Sequence, residues 1–162
     1  MVTADNKTVY LVDTNVLIGF SLWKPISLEL NKKFWEELSN TLKMGRWVLL
    51  DVIYREVKFD RDLLKWCKEQ NKKGLVTNID DGIRNQAINI NNNYEMIDPL
   101  TFKSEADTFL LAFAKINGLG IFSRESKRTK ERDLYKIPDV CDIFKIRHTS
   151  KPKVFLKEIG FN

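Results

Sequence analysis

The amino-acid sequence predicts an α/β fold, a three-layer α/β/α sandwich built around a central, mainly parallel sheet of four to five strands. Three observations carry that expectation. Short, uniformly apolar or β-branched runs recur along the chain, the signature of strands buried on both faces. Segments with helical hydrophobic spacing separate them, and alternation of strand with helix is the order of a parallel sheet covered on both sides. The chain has 162 residues, close to the ~150 of one domain. It shows no internal repeat and no linker rich in Gly, Ser or Pro, so residues 1–162 are expected to form one domain.

Each element has a local reason. Thr8 to Val12 is the first buried strand, and Asp13-Thr14-Asn15 offers helix-capping chemistry before Val16-Leu17-Ile18. Ser27 to Met44 carries Leu28, Phe34, Trp35, Leu38 and Leu42 on one stripe, with Gly45 as the stop, and predicts an amphipathic helix. Trp47 to Leu50 is a second strand, followed from Asp51 by a short helix to about Phe59. Helices are expected over Asp60–Lys72 and from Asp80 to about Asn91, with a break at Asn91-Asn92-Asn93 and a turn at Asp98-Pro99. Ser104 to Asn117 is the clearest helix, closed by Gly118. Gly120 to Ser123 predicts a third strand, Ile143 to Arg147 a fourth, and Pro152 to Ile159 a terminal helix.

Composition narrows the function. The longest apolar run, Phe109 to Ala114, is far short of the ~20 residues of a membrane span. Met1 to Lys7 lacks the apolar core of a secretory signal, and a cytoplasmic location is expected. Cys67 and Cys141 with the single His148 fall short of a disulfide framework or a four-ligand zinc site. No nucleophile motif points to His148, which argues against Ser-His-Asp or Cys-His chemistry. Carboxylates, lysines or a bound metal remain.

Charge is unevenly placed. Arg124 to Lys157 holds 11 Lys/Arg against 5 Asp/Glu, whereas the rest of the chain holds 16 against 17. A localised basic segment attracts polyanions, nucleic acid above all. Arg124, Lys127, Arg128, Lys130 and Arg132 are its candidate nucleic-acid contacts, with a solvated charged loop as the structural alternative.

In parallel sheets, ligands sit beyond the carboxyl ends of the strands, where strand order reverses. Acids stand at each such place: Asp13 after the first strand, Glu56 after the second, Asp107 on the helix feeding the third, and Glu125 after Ser123. Asp13 could instead only cap a helix, Asp107 could complete a capping box with Ser104, and Glu125 could be a surface acid among bases. Glu56 resists such a reading, because helical spacing sets it among Val52, Ile53 and Phe59. A carboxylate facing a core needs a positive partner. If all four converge, repulsion raises their pKa values, and a hard divalent cation relieves it. Two such ions can drive in-line phosphodiester displacement, and nearby bases would hold the phosphates that acids alone repel.

The same residues resemble a family. Tyr10-Leu11-Val12-Asp13-Thr14-Asn15-Val16-Leu17-Ile18 is similar to the opening motif of PIN domains, the nucleases that include VapC-type toxins. Val52 to Val57, ending Arg55-Glu56-Val57, resembles their second acidic motif, and Ala106-Asp107 with Leu110, Leu111 and Ala114 the third. The match runs from about residue 8 to the C-terminus, in order and spacing. It implies a PIN-like fold in which Asp13, Glu56 and Asp107 bind Mg²⁺ or Mn²⁺ and Asn15 orients the first carboxylate or a water. The fourth motif departs from the usual Thr-x-Asp, reading Ser123-Arg124-Glu125, which favours water-mediated contact by Glu125. Ile137-Pro138-Asp139-Val140-Cys141 resembles a segment of an uncharacterised PIN-like branch, with Asp139 in an outer-shell place. Thr14 and Ser123 are expected as supporting residues.

The resemblance implies a metal-dependent endoribonuclease acting on single-stranded RNA, often a toxin neutralised by a small antitoxin and usually a homodimer. The alternative is a catalytically impaired PIN-like RNA-binding protein. A phosphoacceptor or phosphatase on a similar sheet is disfavoured, because Thr14 and Asn15 stand where a second acid beside Asp13 would be needed.

Overall fold

Three short strands form the centre. β1 (Tyr10–Val12) is wholly buried and lies between β2 (Trp47–Leu50) and β4 (Gly120–Phe122), parallel to both. Tyr10 is in register with Trp47 on one side and Gly120 on the other. β3 (Val76–Thr77) extends the sheet beyond β2 and β5 (His148–Thr149) beyond β4, so the order is β3-β2-β1-β4-β5. These features belong to a computed structural model that describes residues 8–161. Met1 to Lys7, where the absence of a secretory signal is expected, lie outside the described residues.

Among the described residues every strand pairing is parallel, and helices complete a three-layer α/β/α sandwich. They are α1 (Thr14–Trp23), α2 (Lys32–Lys43, preceded by a 3-10 turn at Glu29–Asn31), α3 (Asp51–Tyr54) and α4 (Arg61–Lys72). Then follow α5 (Asp81–Asn93), α6 (Glu105–Asn117), α7 (Ile137–Phe144) and α8 (Pro152–Glu158). The chain winds outward from β1 through β2 to β3, then returns to β1's other side with β4. The reversal of strand order therefore falls between β1 and β4.

One face of the sheet is aromatic. Tyr10, Trp47 and Phe122 share it by the two-residue period of strands, and Phe155 of α8 meets all three, stacking on Phe122 at 4.5 Å. Phe20 of α1 joins from the side, 5.9 Å from Phe122. Gly120 is needed here: a Cβ at this position would lie 2.7 Å from Thr8 Cγ2 and 2.9 Å from the Tyr10 ring. The Tyr10 hydroxyl donates to Glu158 and accepts from Arg147, tying β1 to α8.

Five expectations need correction. The helix expected from Ser27 begins as an α-helix only at Lys32, and Leu28, expected on its apolar stripe, is exposed. The fourth strand expected at Ile143–Arg147 is instead the end of α7 and a turn, and the strand is His148–Thr149. Pro138 in the first turn and the Asp139 carboxylate, which accepts the Lys136 N–H at 2.9 Å, start that helix, and Lys145 ends it in a left-handed conformation (φ 57°). The helix from Asp51 stops at Tyr54 rather than near Phe59. Phe59 is 97% exposed and belongs to no apolar face. The break expected at Asn91–Asn93 is absent, since α5 runs through Asn93, whose amide bonds the Asn89 carbonyl.

Candidate functional site

Asp13 is the residue immediately after β1, at the reversal point, and is only 6% exposed. It caps α1 with Oδ1, which accepts the Thr14 backbone N–H at 2.7 Å. The helix-capping reading is thus correct for one oxygen. The other, Oδ2, accepts from the Ser123 hydroxyl just beyond β4 at 3.2 Å. Ser123 Oγ in turn accepts the Glu125 N–H at 3.1 Å, so the ends of β1 and β4 are stitched together through one buried hydroxyl.

Glu56 reaches the same place by another route. It lies in the turn after α3, exposed rather than aimed at the core as helical spacing suggested. The Thr14 hydroxyl nevertheless bonds its Oε1 at 2.6 Å, beside the Ile53 carbonyl at 3.2 Å. Thr14 therefore carries Asp13 on its backbone and Glu56 on its side chain. Asp107, in the first turn of α6, is 8% exposed. Its capping-box alternative fails, because Ser104 is left-handed (φ 71°) and its side chain caps no backbone N–H.

Asp13 and Asp107 both feel the charges of Glu125 and Glu56. Burial pushes Asp107 up to about 9, reinforced by the charges of Asp13, Glu125 and Glu56, against a hydrogen bond from Ser104. Burial also pushes Asp13 up to about 6, helped by Glu125 and, more weakly, Glu56, and opposed by the bonds from Thr14 and Ser123. Among the described residues neither Asp13 nor Asp107 has a salt-bridge partner. By contrast Asp51, buried at the end of β2, is fully engaged: Oδ1 takes the Val52 and Ile79 N–H groups and Oδ2 faces Arg55 at 3.6 Å.

The supporting residues are placed with roles partly different from those expected. Asn15 Oδ1 accepts the Arg124 N–H at 3.4 Å, so it holds the segment after β4 rather than the first carboxylate. Glu125 directs Oε2 to the Ile137 N–H at the start of α7 (3.1 Å). Asp139 Oδ2 accepts from Arg128 and Lys136 at 3.0 and 2.9 Å, which makes it a clamp on the 128–136 loop. His148, set aside by the sequence, hydrogen-bonds the Ser123 backbone, and burial lowers its pKa.

The basic segment is less free than its composition suggests. Lys127 pairs with Asp142. Arg128 lies 3.8 Å over the Tyr135 ring and donates to the Glu131 and Asp133 carbonyls. The Arg124 side chain runs across Gly19 of α1, while Lys130 and Arg132 are exposed.

Two cavities lie at the start of α6. One, of about 340 Å³, is lined by Asp107, Glu125, Met96, Tyr135, Lys103 and Lys136 among others. The second, of about 280 Å³, is lined by Glu56, Arg55, Val52, Phe102, Lys103 and Phe109 among others. Lys103 and Ser104 belong to both walls. Phe102 and Ser104 both have positive φ, at 56° and 71°, a conformation costing about 1–3 kcal/mol for a non-glycine residue. In sequence the Asp98-Pro99 turn signal marks the start of this loop, but nothing marks the strain.

The fold and site define a doubly wound parallel α/β protein with four carboxylates gathered where its strand order reverses. The chain belongs to the family described as Domain of unknown function (DUF4411), whose profile matches residues 10–161. No curated protein and no solved structure matches it. Among the described residues no set of three His, Cys, Asp or Glu side chains is spaced to enclose a metal ion as they stand. No helix among them is long and apolar enough to cross a membrane.

Proposed function

We propose that the protein is a metal-dependent endoribonuclease of the PIN type, hydrolysing phosphodiester bonds in single-stranded RNA. The observation that supports it most is the burial of Asp13 and Asp107, each acted on by the charges of Glu125 and Glu56, without a basic partner for either buried acid. Hard carboxylate oxygens starved of positive charge are a donor set that fits Mg²⁺ or Mn²⁺. Asp13 and Asp107 would hold the ion, with Glu56 and Glu125 reaching it directly or through water. Bound there, it would supply Lewis-acid stabilisation of charge building on the phosphate. The chain's own residues set the geometry: Thr14 fixes Glu56 against α1, and Ser123 fixes Asp13 against β4.

As biological setting we propose the toxin of a toxin–antitoxin pair in the cytoplasm, with a small antitoxin and a homodimer as partners. Two buried free thiols, Cys67 and Cys141, suit a reducing compartment. Leu22 and Phe59, 76% and 97% exposed, line a cavity of about 650 Å³ together with Glu56, where a protein partner would cover the acids.

Replacing Asp13 by Asn, or adding excess EDTA to the native chain, is expected to abolish cleavage of single-stranded RNA while circular dichroism stays native. Full activity in either case overturns the assignment. The engaged Oε2 of Glu125 favours a second reading, a catalytically impaired RNA-binding protein. Retained RNA affinity without metal-stimulated cleavage across an RNA panel selects it.

A further inference from the structure

We propose that Phe102 is a stacking platform for an unpaired nucleobase of the RNA strand lying next to the acidic cluster. This rests on the nuclease reading and adds how a single strand is selected. Phe102 is 67% exposed, and among the described residues it makes no ring contact. Its backbone is left-handed, which a bulky residue adopts only when its surroundings impose it. The imposition is local. Asp98 accepts the Leu100 N–H on its side chain (2.8 Å) and the Phe102 N–H on its carbonyl (2.8 Å), and Thr101 Oγ1 takes the Lys103 N–H.

The loop thus holds an aromatic ring in water in a strained conformation, which contributes nothing to the core. The ring shares its cavity with Glu56, Arg55 and Lys103. Arg55 is already turned to Asp51, but Lys103 has no acid partner among the described residues. An aromatic face beside such a cation is the combination that binds single-stranded nucleic acid: the ring takes a base and the lysine a flanking phosphate. A paired base has its faces covered by its neighbours, so a platform that stacks one selects unpaired RNA. Lys103 also lines the cavity at Asp107, which places the stacked base adjacent to the phosphate nearest the acids.

The test uses single-stranded RNA carrying a fluorescent aminopurine base, bound in Mg²⁺ to the Asp13→Asn chain so that cleavage does not interfere. Adding Phe102→Gly removes ring and strain together. It is expected to weaken binding roughly tenfold and abolish fluorescence quenching, with Tm unchanged or higher. Phe102→Leu, which keeps bulk without a ring, is expected to bind as weakly, and Phe102→Trp to bind as the parent does. Parental affinity and quenching with Phe102→Gly overturn the platform, as does parental affinity with Phe102→Leu. If the native chain cleaves RNA while these variants bind normally, only the platform falls. If the native chain neither binds nor cleaves, the nuclease reading falls and takes the platform with it.

Discussion

Asp107→Asn is expected to abolish metal-dependent RNA cleavage and, in the same protein, to raise Tm in the absence of divalent cation. The loss follows from removing a charged donor from the ion's site. Several kcal/mol of transition-state stabilisation correspond to about a thousandfold in rate or more. The gain follows from burial. The Asp107 carboxyl is pushed from 3.8 up to about 9 in the fold. Between those values the folded state holds a proton that the unfolded chain has released. The associated stability is fully present below about pH 4 and is lost as pH rises through about 9. Asn is neutral throughout, so the decline of metal-free Tm between pH 5 and pH 9 should flatten. The variant should exceed the native chain by several degrees at the alkaline end, given about 2–4 °C per kcal/mol for a domain of this size. Thermal melts of both proteins in EDTA across this range check it. Equal slopes would mean that Asp107 is not charge-frustrated.

Phe155→Ala is expected to be the most damaging single truncation on the aromatic face of the sheet. The ring is fully buried, stacked on Phe122 at 4.5 Å and in edge contact with Tyr10 and Trp47 at 5.8 and 6.3 Å. Removing a buried Phe ring costs about 3–5 kcal/mol through lost transfer energy and the cavity left behind. That is a large share of the ~5–15 kcal/mol that holds a domain together. Urea unfolding should show a correspondingly lower midpoint with an unchanged slope. Because Phe122 immediately precedes Ser123, the variant should also loosen the bond from Ser123 to Asp13 and weaken cleavage at temperatures where it is still folded.

The two buried acids of the site stand out in the sequence. Asp107 is legible because Ala106-Asp107 opens an apolar helix at a fixed distance before β4. Asp13 is legible for the same kind of reason, sitting directly after a buried β-branched run. Strands β1, β2 and β4 show in sequence because burial on both faces forces uninterrupted apolar runs. The edge strands β3 and β5 have two residues each and are half-buried, so no pattern of their own identifies them. At α7, Ile143-Phe144-Lys145-Ile146 mimics a strand, while Pro138 and Asp139, five and four residues before Ile143, carry the helix start.

Glu56 shows the limit of periodicity arguments. Helical spacing put it on a buried face, but α3 ends after Tyr54 and the spacing no longer applies. It is in the site because Thr14, 42 positions away, donates to it, a contact that only the sheet topology creates. The basic segment shows a second limit. Composition counts charges, yet Lys127 and Arg128 are engaged within the protein by Asp142, Tyr135 and two carbonyls. The strain at Phe102 and Ser104 is invisible in sequence because neither is a glycine.

The central claim is that Asp13 and Asp107, together with Glu56 and Glu125, form one site for a divalent cation. Calorimetric titration of the native chain with Mn²⁺, repeated in buffers of different ionisation enthalpy, tests it most directly. A cation entering a site with a protonated Asp107 must displace that proton. The expected result at pH 7 is saturable binding with release of about one proton, and loss of both binding and release in Asp107→Asn. Binding that Asp107→Asn leaves intact, or no binding by the native chain, would contradict the claim.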